Sequence, residues 1–259
     1  MLVTRPQDQA APFAAALAEA GATPVVYPTI ELAPPPSWQP LDDALARLPG
    51  YGWVIFTSPS AVAFTLDRAG ARGVTLASWA SVRVAAVGDQ TARAARTRGL
   101  TVDLVPAADQ QRQEGLIAGM LAALRAPTPT VSGGADQLPR AILFPQALGG
   151  RELLRDQLAA AGYAVEVVPV SQTLARDLGE PPPAFDVATF ASPSALRAFV
   201  DGFVDGRGPR SLAAAKVAVI GPTTAAEAAT LGVRVDAMPA TASVAALVQA
   251  LVDLRQATR

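Results

Sequence analysis

The chain repeats itself, and the repeat limits its fold more than any other feature of its 259 residues. Phe56-Thr57-Ser58-Pro59-Ser60-Ala61 returns 134 residues later as Phe190-Ala191-Ser192-Pro193-Ser194-Ala195. Ala86-Val87-Gly88 with Thr91-Ala92 returns after 133 residues as Val219-Ile220-Gly221 with Thr224-Ala225. Gly99, Val102-Asp103 and Pro106-Ala107 return at the same offset as Gly232, Val235-Asp236 and Pro239-Ala240. A looser match pairs Leu2–Pro6 with Ile142–Gln146, each ahead of a helical stretch closed by Ala-Gly (Ala20-Gly21 and Ala161-Gly162). Matches that keep one order and one spacing mean two similar domains.

Within each copy, short apolar runs alternate with Ala-rich helical stretches. Strands are expected at Leu2-Val3, Val25–Tyr27, Trp53–Phe56, Val82–Val87, Val102–Val105, Ala141–Phe144, Val165–Val168, Val187–Phe190, Lys216–Ile220 and Val233–Ala237. Helices are expected over about 8–20, 40–48, 59–69, 90–98, 113–124, 150–161, 193–204, 222–231 and 242–255. Apolar strands without polar alternation, each followed by a helix, indicate α/β domains with parallel sheets covered on both faces. Pro12 is expected to delay or kink the first helix, because its ring meets the carbonyl four residues back.

The domain division stays open at this level. Ala126–Arg140 is rich in Pro, Gly, Ser and Thr and reads as the linker of a plain tandem. Pro34-Pro35-Pro36 and Pro181-Pro182-Pro183 also punctuate the chain. Two crossings near them would pack the N-terminal βαβ segment with the C-terminal half.

Composition narrows the chemistry. Hydrophobic residues make up 51% and charged residues 17%, enough apolar material for packed cores. The net charge is −1 with no basic run, which argues against a nucleic-acid surface. No signal-peptide core and no 18-residue apolar run is present, so a soluble cytoplasmic protein without membrane contact is expected. There is no Cys and no His, which removes thiolate nucleophiles, disulfides, imidazole bases and most zinc sites. Lys216 is the single lysine and the sole candidate for a Schiff base. Chemistry must come from hydroxyls, carboxylates, Arg, backbone dipoles or the substrate itself.

Ser58-Pro59 and Ser192-Pro193 each read as an N-cap serine with proline at the first helical position. Capping alone explains them, but free N–H groups at such helix starts also attract carboxylates. Gly88 and Gly221 permit tight strand-to-helix turns, with Thr91 and Thr224 three residues on. Thr4-Arg5-Pro6 and Gly149-Gly150-Arg151 follow strands, where open α/β sheets place ligands. Asp42-Asp43 reads as a solvated helix face and not as an acid–base pair.

Several of these segments together resemble the uroporphyrinogen-III synthase family over nearly the whole chain. They are Leu2–Pro6, Phe56–Val62, Ala85–Gly88 with Thr91-Ala92, Gln113-Glu114-Gly115-Leu116, Gly150-Arg151-Glu152 with Leu154, and Val219–Pro222 with Thr224-Ala225. The resemblance implies two flavodoxin-like parallel-sheet domains joined by a two-stranded linker, with the active cleft between them. One domain is then 1–32 plus 175–259 and the other 37–168, with linkers at 33–36 and 169–174. The implied enzyme is a monomeric lyase without cofactor. Its substrate is hydroxymethylbilane, a linear polycarboxylate tetrapyrrole. The reaction loses the terminal hydroxyl, inverts the last ring through a spiro intermediate and closes the macrocycle.

Carried onto this chain, the resemblance assigns substrate contacts to Thr4, Arg5, Thr57, Ser58, Ser60, Gly88, Thr91, Gly150, Ser192, Ser194 and Gly221, and a catalytic role to Thr224. Two departures stand out. Pro145-Gln146-Ala147 replaces an Arg-Gly the family commonly has. Ser171 stands where the family usually has a Tyr, the family's candidate for assisting hydroxyl loss. A water filling the gap, a one-residue slip in the alignment, and reduced activity are all consistent with that serine. Two other readings share the repeat: a non-catalytic tetrapyrrole-binding or regulatory relative, and a two-domain binder of small anionic ligands.

Overall fold

Strand and helix alternate along the chain of the computed structural model, which describes residues 1–125, 141–203 and 207–257. The order is β1 (Leu2–Val3), α1 (Gln7–Glu19), β2 (Val25–Val26), β3 (Ile30–Ala33), α2 (Gln39–Ala46), β4 (Trp53–Phe56), α3 (Pro59–Ala71), β5 (Arg83–Ala86), α4 (Asp89–Thr97) and α5 (Gln113–Arg125). It continues with β6 (Ala141–Ala147), α6 (Leu153–Ala160), β7 (Ala164–Ala175), β8 (Val187–Phe190), α7 (Pro193–Asp201), α8 (Arg207–Ala213), β9 (Lys216–Val219), α9 (Pro222–Thr230) and α10 (Val244–Ala257). Two compact units result: Met1–Leu32 with Thr173–Arg259, and Ala33–Gln172. The boundaries fall inside β3 and β7, which neighbour each other in a sheet. Ala126–Arg140, read above as a candidate linker, lies outside the described residues. No helix among the described residues is long and apolar enough to cross a membrane.

The first unit carries the sheet β2-β1-β8-β9, extended by a parallel bridge from Ala218 to Ala237. The second carries β7-β6-β4-β5, extended from Ala85 to Leu104, with β3 outside β7. The repeat equates β6 with β1, β4 with β8 and β5 with β9, so both sheets share one spatial order. In flavodoxin-like terms that order is 2-1-3-4-5. The second unit is thus a circular permutation of the first, entered at its third strand.

Each sheet is covered on both faces, as its apolar strands require. In the first unit Val3 and Ala218 face α1 and α10, while Leu2, Phe190, Val217 and Val219 face α7 and α9. In the second, Ile142, Phe144, Trp53 and Ile55 pack with α5 and α6, while Val54, Phe56, Leu143 and Val84 pack with α2 and α3.

Several elements depart from the sequence expectation, each for a local reason. Residues 102–105 and 233–237 pair through single bridges, not full strands. In each, the repeated aspartate replaces a ladder partner: Asp103 accepts the Val84 N–H at 2.8 Å and Asp236 the Val217 N–H at 2.9 Å. Helix α8 was not expected, because Arg207-Gly208-Pro209-Arg210 reads as a turn. The first helix starts at Gln7 and carries Pro12 inside it, so proline does not delay it. Asp42 is not solvated: its carboxylate takes two bonds from Arg68, at 2.7 and 2.5 Å, and ties α2 to α3. Those Arg68 bonds hold its carboxyl below the ordinary range.

Asp236 makes a testable contribution to stability. Burial pushes its carboxyl up, but the Val217 N–H, the Lys216 ammonium at 3.1 Å and Arg234 outweigh that and leave it below the ordinary value. A carboxyl depressed in the folded state stabilises above its unfolded value of about 3.9 and loses that stability as pH falls through the folded value. Urea midpoints should therefore fall as pH drops below about 4, and Asp236→Asn should flatten this dependence. At neutral pH the variant should lose about 1–3 kcal/mol, because a charge-assisted bond to backbone is weakened. An unchanged acid slope in the variant would assign the dependence elsewhere.

Candidate functional site at the carboxyl edges of the sheets

In a doubly wound sheet, ligands sit where consecutive helices leave to opposite faces, at the carboxyl ends of the central strands. The first unit has this point between β1 and β8, followed by Thr4-Arg5 and Ala191-Ser192. The second has it between β6 and β4, followed by the turn 147–150 and Thr57-Ser58. The duplicated motifs therefore occupy the same edge of both sheets.

The two serine-led helix starts are near copies. Ser58 has φ −156° and ψ 153°, and its Oγ accepts the Ala61 N–H at 3.1 Å. Ser192 has φ −155° and ψ 154°, and its Oγ accepts the Ala195 N–H at 3.2 Å. Extended backbone at the cap and proline at the first helical position explain both. The next N–H groups, of Ser60 and Ser194, have no acceptor among the described residues. Ser60 adds a hydroxyl 3.1 Å from that of Ser58. Capping and anion attraction thus coexist, because the cap uses one of several free donors.

The glycine-led starts are also alike in backbone. Gly88 has φ −176° and ψ 177°, Gly221 has φ −177° and ψ −179°, and neither helix has a side-chain cap from its own N-cap residue. Both glycines are buried against a neighbour: a Cβ would meet Gln111 at Gly88 and the Ala242 methyl at Gly221.

The buried hydroxyls of the site divide into two classes. Thr4, fully buried, donates to the Thr189 carbonyl, and Thr189 donates back to the Leu2 carbonyl, both at 2.8 Å. Thr29 likewise donates to the Ala195 carbonyl. Thr4 thus corrects the expectation of a substrate-binding hydroxyl, since its oxygen stitches β1 to β8. By contrast Thr91, Ser171 and Thr224 are 3, 2 and 2% exposed and make no side-chain hydrogen bond among the described residues. A buried hydroxyl without a partner costs free energy. Thr65 shares that condition but lies within α3, away from the sheet edge.

The remaining candidates complete the edge. Arg5 and Thr57 follow their strands half-buried, and Gly150 closes a turn on the Ala147 carbonyl at 3.0 Å. A Cβ on Gly150 would stand 2.5 Å from Gln146 Oε1. Ser171 lies on β7 beside Ala147, at a bulge where Val170 is the extra residue.

Groups at the opposite edge drop out. Lys216 opens β9 and pairs with Asp236, far along the strand from the carboxyl edge, which removes the Schiff-base option from this site. Tyr51 precedes β4 and donates to Glu166 at 2.6 Å, and burial followed by that carboxylate holds its phenol protonated beyond the ordinary range. Tyr163 precedes β7, and Tyr27 is tied to the Leu178 and Glu180 carbonyls. No tyrosine among the three takes the position of Ser171. A cavity of about 770 Å³ lies at the amino edge of the first unit, beside Thr23, Asp186 and Lys216, and no candidate residue lines it. Sequence reasoning missed Thr29 and Gln111. Neither belongs to a repeated motif, which was the signal used.

Comparison with known proteins gives the edge its context. The family model described as uroporphyrinogen-III synthase HemD matches residues 11–249. A uroporphyrinogen-III synthase of Synechococcus elongatus is 34% identical over 176 residues, 67% of this chain and 60% of that protein. This match therefore spans about three fifths of that relative's length. The uroporphyrinogen-III synthase of Chlorobaculum parvum is 26% identical, with 92% of each chain covered. A mutant uroporphyrinogen III synthase of Thermus thermophilus has the same fold, with a TM-score of 0.59, 18% identity and coverage of 99% and 98%.

Proposed function

Because this chain belongs to the uroporphyrinogen-III synthase family, we propose that it closes hydroxymethylbilane into uroporphyrinogen III. The observation that carries the reading is the duplicated set of unoccupied donors at the carboxyl edge of both sheets, in a chain without Cys or His. A polycarboxylate substrate needs many hydrogen-bond donors, and a chain of net charge −1 must supply them locally and not through a broad basic field.

The chemistry asks little of side chains. The nitrogen lone pair of the terminal pyrrole expels the hydroxyl, which leaves as water once protonated. The electrophilic carbon so formed is attacked by the substituted position of the last ring, giving the spiro intermediate. Fragmentation and reclosure then invert that ring. The protein's part is to hold one folded pose and shield it, through positioning and preorganised donors. Serine-led starts at Ser58 and Ser192, with the Ser60 and Ser194 N–H groups, hold carboxylates in this reading. Thr57, Thr91, Gly88, Gly150 and Arg5 line the same edge, and Thr224 donates to the reacting region. The enzyme is expected to work in the cytoplasm as a monomer, with no cofactor.

The test is incubation with enzymatically generated hydroxymethylbilane, with no metal or cofactor added, followed by separation of the oxidised ring isomers. Type III should dominate. Type I, the spontaneous product, dominating at stoichiometric protein would refute the reading.

Ser171 favours a second reading, a non-catalytic tetrapyrrole binder, since no tyrosine takes the family position. Ser171→Ala separates the two roles of the serine. A fall in kcat of about tenfold or more at unchanged KM makes its hydroxyl the donor to the departing oxygen. Unchanged kcat assigns that proton to water or substrate.

A further inference from the structure

The paired glycine-led helix starts have diverged in their side chains. We propose that only the start at Gly221 receives a substrate carboxylate, because Gln111 closes the start at Gly88; this rests on the functional reading above. Backbone geometry does not separate them, since φ and ψ agree within a few degrees.

At Gly88 the Gln111 side chain lies across the turn. Its Oε1 accepts the Asp89 N–H at 3.0 Å, and a Cβ on Gly88 would stand 2.8 Å from that oxygen. The first donor of α4 is thus spent on a neutral carbonyl. Asp89 adds a negative charge in the first turn, which suits the helix but repels an incoming carboxylate.

At Gly221 neither obstacle is present. The first turn of α9 carries no acid, and the atom nearest a Cβ on Gly221 is the Ala242 methyl at 3.2 Å. The Thr223 N–H has no acceptor among the described residues, and Thr224, 2% exposed, places an unpartnered hydroxyl in the same turn. Thr91 shares the bare hydroxyl, so the two starts differ in the N–H groups and the charge. One half of the duplication keeps an anion receptor, and the other has become an acceptor surface.

The geometry supplies a reciprocal test. Gln111 Cβ lies 3.1 Å from the Cβ position of Gly88, and Ala242 Cβ lies 3.2 Å from that of Gly221. Ala242 is exposed, so Ala242→Gln fits and sets an acceptor over the Gly221 turn. Ala242→Gln should raise the KM for hydroxymethylbilane about tenfold and weaken binding of uroporphyrin, an oxidised polycarboxylate product, by a similar factor at an unchanged melting temperature. Gln111→Ala should leave KM within about twofold, because Asp89 still repels. The reverse order, two large effects, or two silent variants each overturn the asymmetry. Should the wild type bind uroporphyrin yet form no type III ring, the catalytic reading fails while the binding comparison still decides this one.

Discussion

Thr224→Val should lower kcat/KM for type III ring formation by about one to two decades and leave the urea midpoint unchanged or slightly raised. The two halves of that expectation come from one observation. Thr224 is 2% exposed, and its hydroxyl has no partner among the described residues. Valine keeps the branched shape and removes the oxygen, so folding loses no bond and sheds a desolvated polar group. A substrate that bonds this hydroxyl loses a charge-assisted contact worth about 1.5–3 kcal/mol. A structural threonine behaves in the opposite way. Thr4→Val would break the reciprocal Thr4–Thr189 pairing in the β1–β8 ladder and lower the urea midpoint. Full activity in Thr224→Val, or a loss matched by destabilisation, would remove Thr224 from the catalytic set.

What the sequence could reveal of the fold follows from where the information is local. Apolar runs and Ala-rich stretches located the parallel strands and their helices, because buried strands need no polar alternation. The same runs overstated residues 102–105 and 233–237, where Asp103 and Asp236 take over ladder hydrogen bonds from their own side chains. A carboxylate replacing a backbone acceptor is invisible to hydropathy. The circular permutation was hidden for a related reason. The repeat matched segments in pairs, but strand order is a property of pairing and not of succession.

The candidate site was legible as motifs and opaque as chemistry. Ser58 and Ser192 could be placed from Ser-Pro alone, since an N-cap serine before proline has one geometry. Which buried hydroxyls are spent could not. Thr4 and Thr224 both sit at strand ends, yet Thr4 bonds a residue 185 positions away. Gln111 caps a helix start 22 residues upstream, with no local pattern to mark it. Comparing the repeat copies for unequal neighbours, Asp89 against Pro222, carries a hint of that asymmetry.

Phe199→Ala should cost the first unit about 3–5 kcal/mol, the largest effect on stability expected from a single truncation in this chain. Phe199 is fully buried on α7, and its ring meets four others edge-on: Phe203 at 5.5 Å, Phe190 at 5.8 Å, and Tyr27 and Phe185 at 6.3 Å. Alanine forfeits the transfer energy of the ring and leaves a cavity that four rigid neighbours close poorly. Phe199→Leu fills most of the volume and should cost about 1.5 kcal/mol or less in packing, plus the edge-on contacts it cannot make. The consequence for function is indirect. Phe199 presses α7 onto β8 through Phe190, and α7 begins at Ser192, whose Oγ and N–H groups belong to the proposed carboxylate site. Urea unfolding followed beside activity distinguishes two forms of damage. If α7 stays docked in the folded variant, activity should track the folded fraction, with KM unchanged at low denaturant. A raised KM in fully folded Phe199→Ala would show instead that the ring cluster sets the position of the Ser192 helix start. A loss of stability below about 1 kcal/mol would mean that the neighbouring rings repack, and would contradict the cluster's proposed rigidity.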